Sequence, residues 1–398
     1  MGRPPGSERR PDRFRRAWPP ASAAVVLIAL LTLPAARAQE AGAPSAAATF
    51  YIRTDSDQTT VITPRLRVGA PVAEATRVDL VYTVDVWTSA SIDIRTSASK
   101  AVTEQRDEID VSLQQAFTDV SVSGSYRYST EYDYESHGAG LSAAYDFADN
   151  NAQVALAARG YFDQVGRAGD PGFERASDML TASASFTQVL DADTVVQLIY
   201  ELTSQDGYLS SPYRFVRIAD DVGAIPSTCA YPTTAYVPRT LRGCMPENNP
   251  GTRLRHAAAV HGRRALGTPL SVGAGYRFYI DDWDMTSHTA SADVALTLDP
   301  GWLLSLGYRF YLQSSASHFA PFYRPMELPG HYTSDKELSA MTSHRIELEL
   351  GRTFALDDLG SELNTVLRAA PSYFAYDEYR LLDHVTALEL TLTVGVTL

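Results

Sequence analysis

Apolar and polar positions alternate with a period of two through most of the chain. Over residues 388–398 every even position is apolar (Leu388, Leu390, Leu392, Val394, Val396, Leu398) and every odd one is polar or Gly (Glu389, Thr391, Thr393, Gly395, Thr397). Successive side chains of a strand point to opposite faces, so such a segment has one oily and one wet face. The same grammar recurs at 78–86, 109–113, 120–128, 141–147, 154–162, 180–186, 270–278, 302–310 and 344–350. Weaker versions lie near 194–204, 255–265, 288–298 and 362–374. About ten alternating residues is what a tilted strand needs to cross a bilayer.

The connections sort into two kinds. Tight turns with the expected Asp, Asn, Gly and Pro sit at 118–119, 149–151, 191–193, 267–269 and 299–301. Between them lie longer joins at 88–106, 164–176, 205–254 and 314–340. A soluble sandwich has no reason to segregate its loop lengths by end, whereas outer-membrane barrels put short turns in the periplasm and long loops outside. Parity then requires a first strand, supplied by 49–54 with 55–58 as its hairpin, and a short connection at 69–76. The predicted fold is all-β: an antiparallel transmembrane β-barrel of about 16 strands. The last segment becomes the closing strand, although Leu398 stands where such barrels usually end on an aromatic residue. The short first strand makes its seam with the last one the expected weak point, with lateral opening there. Tyr126, Tyr128, Tyr276, Phe278, Tyr308 and Phe310 cluster at one level and Phe117, Phe147, Trp302 and Phe354 at the other, as interfacial girdles do.

The N-terminus changes the picture by assigning a compartment. Six Arg before residue 17, an apolar run over 21–33 and the small-x-small site Ala36-Arg37-Ala38 read as a signal peptide over 1–38. A flexible linker is expected over 39–48 and the barrel over 49–398. Seven Arg against two acidic residues up to Ala38 give +5, so the −13 of the whole chain becomes −18 beyond it. So acidic a protein is a poor partner for nucleic acid or for anionic lipid head groups, and is compatible with cations or with lipopolysaccharide bridged by divalent ions. The expected surroundings are outer-membrane lipid and lipopolysaccharide. Cys229 and Cys244, the two cysteines, are expected to form a disulfide after export.

Several segments carry a resemblance: 89–93 (SASID), 166–171 (GRAGDP), 206–209 (DGYL) with 211–214 (SPYR), 276–279 (YRFY) and 334–338 (SDKEL). Together they make the chain resemble a family of uncharacterised Gram-negative proteins, a domain of unknown function numbered 3570, nearly end to end after residue 38. The resemblance implies an outer-membrane barrel and a loose link to flavin transferases and thioredoxin-like proteins. It implies no activity and no site residue.

Candidate chemistry is concentrated on the polar strand face. Arg77, Asp79, Arg127, Arg159, Arg277, Arg309, Arg345, Glu347, Glu349 and Glu389 are expected to line the lumen. They would either set ion selectivity or form an interior salt-bridge network. The repeated Tyr-Arg-Phe-Tyr at 276–279 and 308–311 reads as strand grammar, aromatic residues out and Arg in. Asp55 with Asp57, and Asp281, Asp282 and Asp284, read as turn carboxylates rather than a metal site, and 166–171 lacks the repeated acidic ligands of a calcium loop. A rim hydrolase would need His288, His318, His331 or His344 beside Ser287, Ser343 or Asp335. No cofactor, metal or catalytic residue is expected. The function expected is a porin-like channel for small polar solutes. The alternative is a non-conducting scaffold that docks a periplasmic or surface protein through 205–254 and 314–340, in an envelope redox or assembly system.

Overall fold

The computed structural model describes residues 42–89, 102–221, 243–298, 301–356 and 360–398, with residues 223, 225, 226 and 229 between them. The signal peptide expected over 1–38, residues 39–41 of the expected linker, the tetrapeptide 90–93 and positions 299–300 of one predicted turn lie outside the described residues.

The strands are β1 (Ser45–Asp55), β2 (Thr59–Ala73), β3 (Thr76–Ser89), β4 (Val102–Ala116), β5 (Val120–Thr130), β6 (Tyr134–Phe147), β7 (Ala152–Val165), β8 (Arg175–Asp191) and β9 (Thr194–Gly207). They continue as β10 (Phe215–Ile218), β11 (Gly243–Pro246), β12 (Thr252–Ala265), β13 (Leu270–Asp281), β14 (Thr286–Leu298), β15 (Trp302–Gln313), β16 (Met341–Leu356), β17 (Ser361–Tyr376) and β18 (His384–Thr397). Sixteen of them close into one antiparallel barrel. Each pairs with its neighbours in sequence, except that β9 pairs with β12 and β18 closes on β1; β10 and β11 form a separate ribbon inside the long β9–β12 connection.

The alternation explains the wall. Leu156, Leu180, Leu306 and Leu348 are half or more exposed, all on the outer face. A soluble barrel would bury such residues. A membrane barrel turns them to lipid and satisfies every backbone group by closing on itself. Tight turns join the strands at one end. At 148–150 three successive residues, Ala148, Asp149 and Asn150, adopt left-handed φ values of 54–63°, a conformation that Asp and Asn tolerate best. Gly301 has φ +75°, and a Cβ there would meet the Thr353 carbonyl at 2.8 Å, so only glycine fits that turn.

Two expected boundaries and one expected weak point are corrected. The linker expected over 39–48 ends sooner, because Ser45 already pairs with Thr397 and Gly69. Residues 45–48 are Ser and Ala, whose side chains give no amphipathic contrast, while the backbone ladder holds them in register. The connection expected at 69–76 shrinks to residues 74–75: β2 continues to Ala73 through a register shift between Pro71 and Ala73. Proline has no N–H for the ladder and is accommodated at such a bulge. The seam is not weak. All 11 residues of β1 pair with β18, with Phe50 opposite Leu392 and Ile52 opposite Leu390, which removes the basis for lateral opening there.

Candidate functional site: the barrel interior and its outer cap

The inward residues form belts of ion pairs. In the half of the barrel near the turns, Asp79 lies 3.1 Å from Arg67 and 3.0 Å from Arg77. The cluster packs over Gly69, where a Cβ would stand 2.2 Å from the Arg77 guanidinium. Further along, Arg127 reaches Glu108 at 3.5 Å and Asp110 at 3.6 Å, while Arg106 pairs with Asp85. On the opposite arc Arg345 bonds Glu389 at 2.6 Å and Glu347 at 3.1 Å. Since β17 separates β16 from β18, the Arg345–Glu389 bond is a chord across the concave side. Arg368 pairs with Glu349, Arg263 with Asp293 at 2.5 Å, and Arg277 with Glu201 at 3.8 Å. Arg309 stands directly opposite Arg345 in the ladder. Among the described residues neither Arg309 nor Arg159 forms an ion pair.

The pairs differ in exposure: the side chains of Asp79 and Glu108 are 9% and 11% exposed, and the Arg277–Glu201 pair is the wettest of those named. The Arg277 and Glu201 side chains are 42% and 46% exposed. A pair that keeps so much water is worth about 0–1 kcal/mol, so such contacts shape the local field more than they stabilise the wall. The partners Arg67, Arg106, Arg263 and Arg368 were not among the expected lumen residues. Their signal was present in the sequence: Arg65 and Arg67 alternate with Leu66 and Val68, and inward glycines such as Gly69 and Gly273 mark where long side chains cross.

At the loop end the two longest connections fold onto each other. Backbone bonds join Asn248 to Tyr332 in both directions, at 3.0 and 2.9 Å, and Tyr323 to Arg217 and Ala219, at 2.8 and 2.9 Å. Arg214 bonds Asp335 at 2.5 Å, and Thr333 donates its hydroxyl to Glu247 at 2.9 Å. Glu247 is buried, and burial raises its carboxyl above the usual range. His318 donates its Nε2–H to the Asn249 Oδ1 at 2.9 Å and packs edge-on against Trp283. Burial pushes its imidazole down to about 4. An apolar cluster of Trp283, Met285, Ala316 and Leu338 lies beneath. Cys229 and Cys244 are joined, with Cα atoms 5.7 Å apart, and pack with Phe215.

The resulting cap is tied to the rim at several places. Tyr213 donates to Asp133 of the β5–β6 turn. Phe319 packs on Met341, Tyr376, Tyr379 and Val385 at the β16–β18 side. Lys336, in a single 3-10 turn over Lys336–Leu338, reaches Asp57 of the β1–β2 hairpin at 2.9 Å. Asp57 is 1% exposed, so this tie is buried. The carboxylates at 55, 57, 281 and 282 therefore serve the architecture: Asp55 accepts from the Thr59 N–H, Asp281 from Arg253, Tyr279 and two backbone N–H groups, and Asp282 from the Leu254 N–H. Asp284, the last of the predicted turn set, adopts a left-handed φ of 63°.

The residues considered for a rim hydrolase do not converge. His288 and His344 bond Tyr276 and Tyr308 on the outer face, whereas Ser287 and Ser343 are buried on the inner face. Asp335 is taken by Arg214 and caps the 3-10 turn. His331 is exposed in the cap, beside Tyr332.

Solved structures similar to the chain are membrane barrels. A bacterial polysaccharide outer membrane secretin is 11% identical, with a TM-score of 0.48, over 88% of this chain and 98% of that one. The siderophore receptor PirA of Pseudomonas aeruginosa is 9% identical (TM-score 0.42; 90% and 81% covered), as is a loop L8 deletion mutant of OmpT, an outer membrane protein of Vibrio cholerae (TM-score 0.42; 88% and 98% covered). No curated protein matches the chain. Residues 94–179 and 174–367, more than half of the chain, match the family described as protein of unknown function (DUF3570), and the chain belongs to that family.

Proposed function

We propose that this protein sits in the outer membrane as a passive pore for small polar solutes, its outer mouth narrowed by the folded cap. The observation that carries this reading is the solvated state of two inward ion pairs, Arg277 with Glu201 and Arg263 with Asp293, whose side chains are 42% and 46%, and 45% and 32%, exposed. A lumen filled by side chains for structural ends would dehydrate such pairs, whereas a water-filled one leaves them solvated. Because both signs alternate around the wall, the pore favours polarity over charge. Arg309, opposite Arg345 in the ladder, offsets the second carboxylate that Arg345 binds, so this patch too is balanced. Swelling of liposomes that hold the purified protein tests the reading. Arabinose is expected to enter at a rate proportional to protein content, and a rate equal to protein-free liposomes would overturn it.

A second reading has its own support. The cap has a packed apolar core and a disulfide, and that construction suits a rigid surface for a protein partner outside the cell. Recovery of one protein with the full-length barrel, lost when residues 208–251 are replaced by a short Gly-Ser linker, would favour it. Equal recovery with both would count against it.

A further inference from the structure

Six of the eight hairpins that turn at the loop end carry one repeated device on their outer face. A Tyr on the strand running toward the loops meets a polar residue of the returning strand, placed opposite the second residue beyond that Tyr. Tyr126 bonds His137, which faces Tyr128 in the ladder, at 2.7 Å. Tyr200 bonds His256, opposite Leu202, at 2.8 Å. Tyr276 bonds His288, opposite Phe278, at 2.6 Å. Tyr308 bonds His344, opposite Phe310, at 2.8 Å. Tyr373 stacks on His384, opposite Ala375, at 5.7 Å. In the sixth hairpin Asp107, opposite Val84, replaces the His and takes the Tyr82 hydroxyl at 2.6 Å. Five of the eight histidines of the chain are committed to this ring.

The chemistry has a direction. A carboxylate can only accept, so Tyr82 donates to Asp107. At His137, His256, His288 and His344 the Nδ1 atom lies at the Tyr hydroxyl, and with that hydroxyl donating, as Tyr82 does to Asp107, Nδ1 is the acceptor. A neutral imidazole then carries its proton on Nε2. His137 spends that nitrogen on Glu135 at 3.1 Å. His256, His288 and His344 have no partner for Nε2 among the described residues. His288 and His344 are exposed on the outer face, directly above the Leu306 and Leu348 band. An N–H left unpaired in hydrocarbon costs several kcal/mol. The ring therefore lies where lipid oxygens begin. His137, His256, His288 and His344 lie within four residues of the loop ends of their strands, the depth of the head groups.

We propose that the Tyr–His ring is a lipid collar, whose Nε2–H groups donate to the phosphate oxygens of lipid A, the phosphorylated glycolipid of the leaflet that surrounds the loop end. Tyr fixes the tautomer and holds the ring plane; His supplies the outward donor. Phosphate accepts more strongly than an ester carbonyl and lies at the outer edge of the leaflet.

Native mass spectrometry of full-length protein in dodecyl maltoside, titrated with hexa-acyl lipid A, tests this. The variant H256F/H288F/H344F keeps the aromatic band and removes the donors. It is expected to bind lipid A at least tenfold more weakly, and His→Gln at the same three positions is expected to restore binding. The smaller H288F/H344F variant gives an intermediate loss and guards against misfolding, which resistance of the unheated barrel to sodium dodecyl sulfate checks directly. Unchanged binding in a folded Phe variant would overturn the collar. So would dephosphorylated lipid A bound as tightly as the intact lipid. Phosphatidylethanolamine bound as tightly as lipid A would overturn the assignment to the glycolipid.

Discussion

The buried tie between Lys336 and Asp57 is the sharpest place to perturb the cap. Lys336→Met keeps the length and the apolar stem of the side chain and removes only the ammonium. The Asp57 carboxylate left behind is 1% exposed, whereas Lys336 itself is 15% exposed. Breaking a buried pair by removing one partner costs about 3–5 kcal/mol, most of it from the stranded charge. Further contacts of Asp57 soften that figure, so about 3 kcal/mol is the working value. At about 1.4 kcal/mol per decade, the equilibrium for lifting the cap from the β1–β2 hairpin shifts on the order of 100-fold. Hydrogen exchange followed by mass spectrometry reads this directly. The Leu338 and Ser339 amides, bonded to Asp335 and Lys336 in the turn that Asp57 anchors, are expected to lose about two decades of protection, since protection follows the local opening equilibrium. Amides of β5 to β8 are expected to be unchanged. The double variant D57L/K336M removes both charges and is expected to recover most of the loss. Full protection of both amides in K336M would refute the reasoning, because it would mean that the cap is held without this tie.

Three other outcomes follow from the same geometry. Replacing Cys229 and Cys244 by Ala opens a 15-residue loop, worth about 3 kcal/mol in the chain-entropy model, and protease is expected to cut between β10 and β11 while the barrel stays intact on gels. Acid loosens the cap through His318: folded, its imidazole titrates at about 4 against 6.5, so its contribution is complete above pH 6.5 and is lost as pH falls toward 4. Discounted by about half for its partial exposure, that is about 1 kcal/mol at pH 5. The raised carboxyl of Glu247 acts in the opposite sense, its cost vanishing on protonation, so exchange at pH 7 and pH 5 in E247Q isolates the His318 effect and H318Q abolishes it. Cysteines at Phe50 and Leu392 in a background lacking Cys229 and Cys244 are expected to cross-link spontaneously on export, since cross-strand Cα spacings of about 4.5–5.5 Å suit a disulfide. A pair at Phe50 and Leu388, two registers away, is expected to remain reduced on a non-reducing gel.

The barrel was legible because each membrane strand writes the same two-residue period into its side chains, from Val78 and Leu80 to Leu390 and Leu392. Lipid on one side and water on the other impose that contrast at every step. It failed where side chains are small: Ala46 and Ala48 pair in full but carry no contrast. The lumen was legible by parity, so Arg277, Arg345 and Glu389 could be placed on one face, yet their partners could not be chosen. Arg345 reaches over β17 to Glu389, and nothing in local spacing encodes such a chord. The cap was least legible. Lys336 and Asp57 are 279 residues apart, and the meeting of Glu247 with Thr333 depends on loops with no periodicity at all. The Tyr–His ring lies between these cases. Each Tyr and His showed correct parity, but their pairing needs the register of six separate hairpins.

Single-channel recording in planar bilayers bears most directly on the proposal of a water-filled pore narrowed by the cap. The wild-type protein is expected to give discrete, small conductance steps, and K336M, with its cap released from Asp57, larger ones. Insertion of folded protein with no conductance steps in either form would contradict the account.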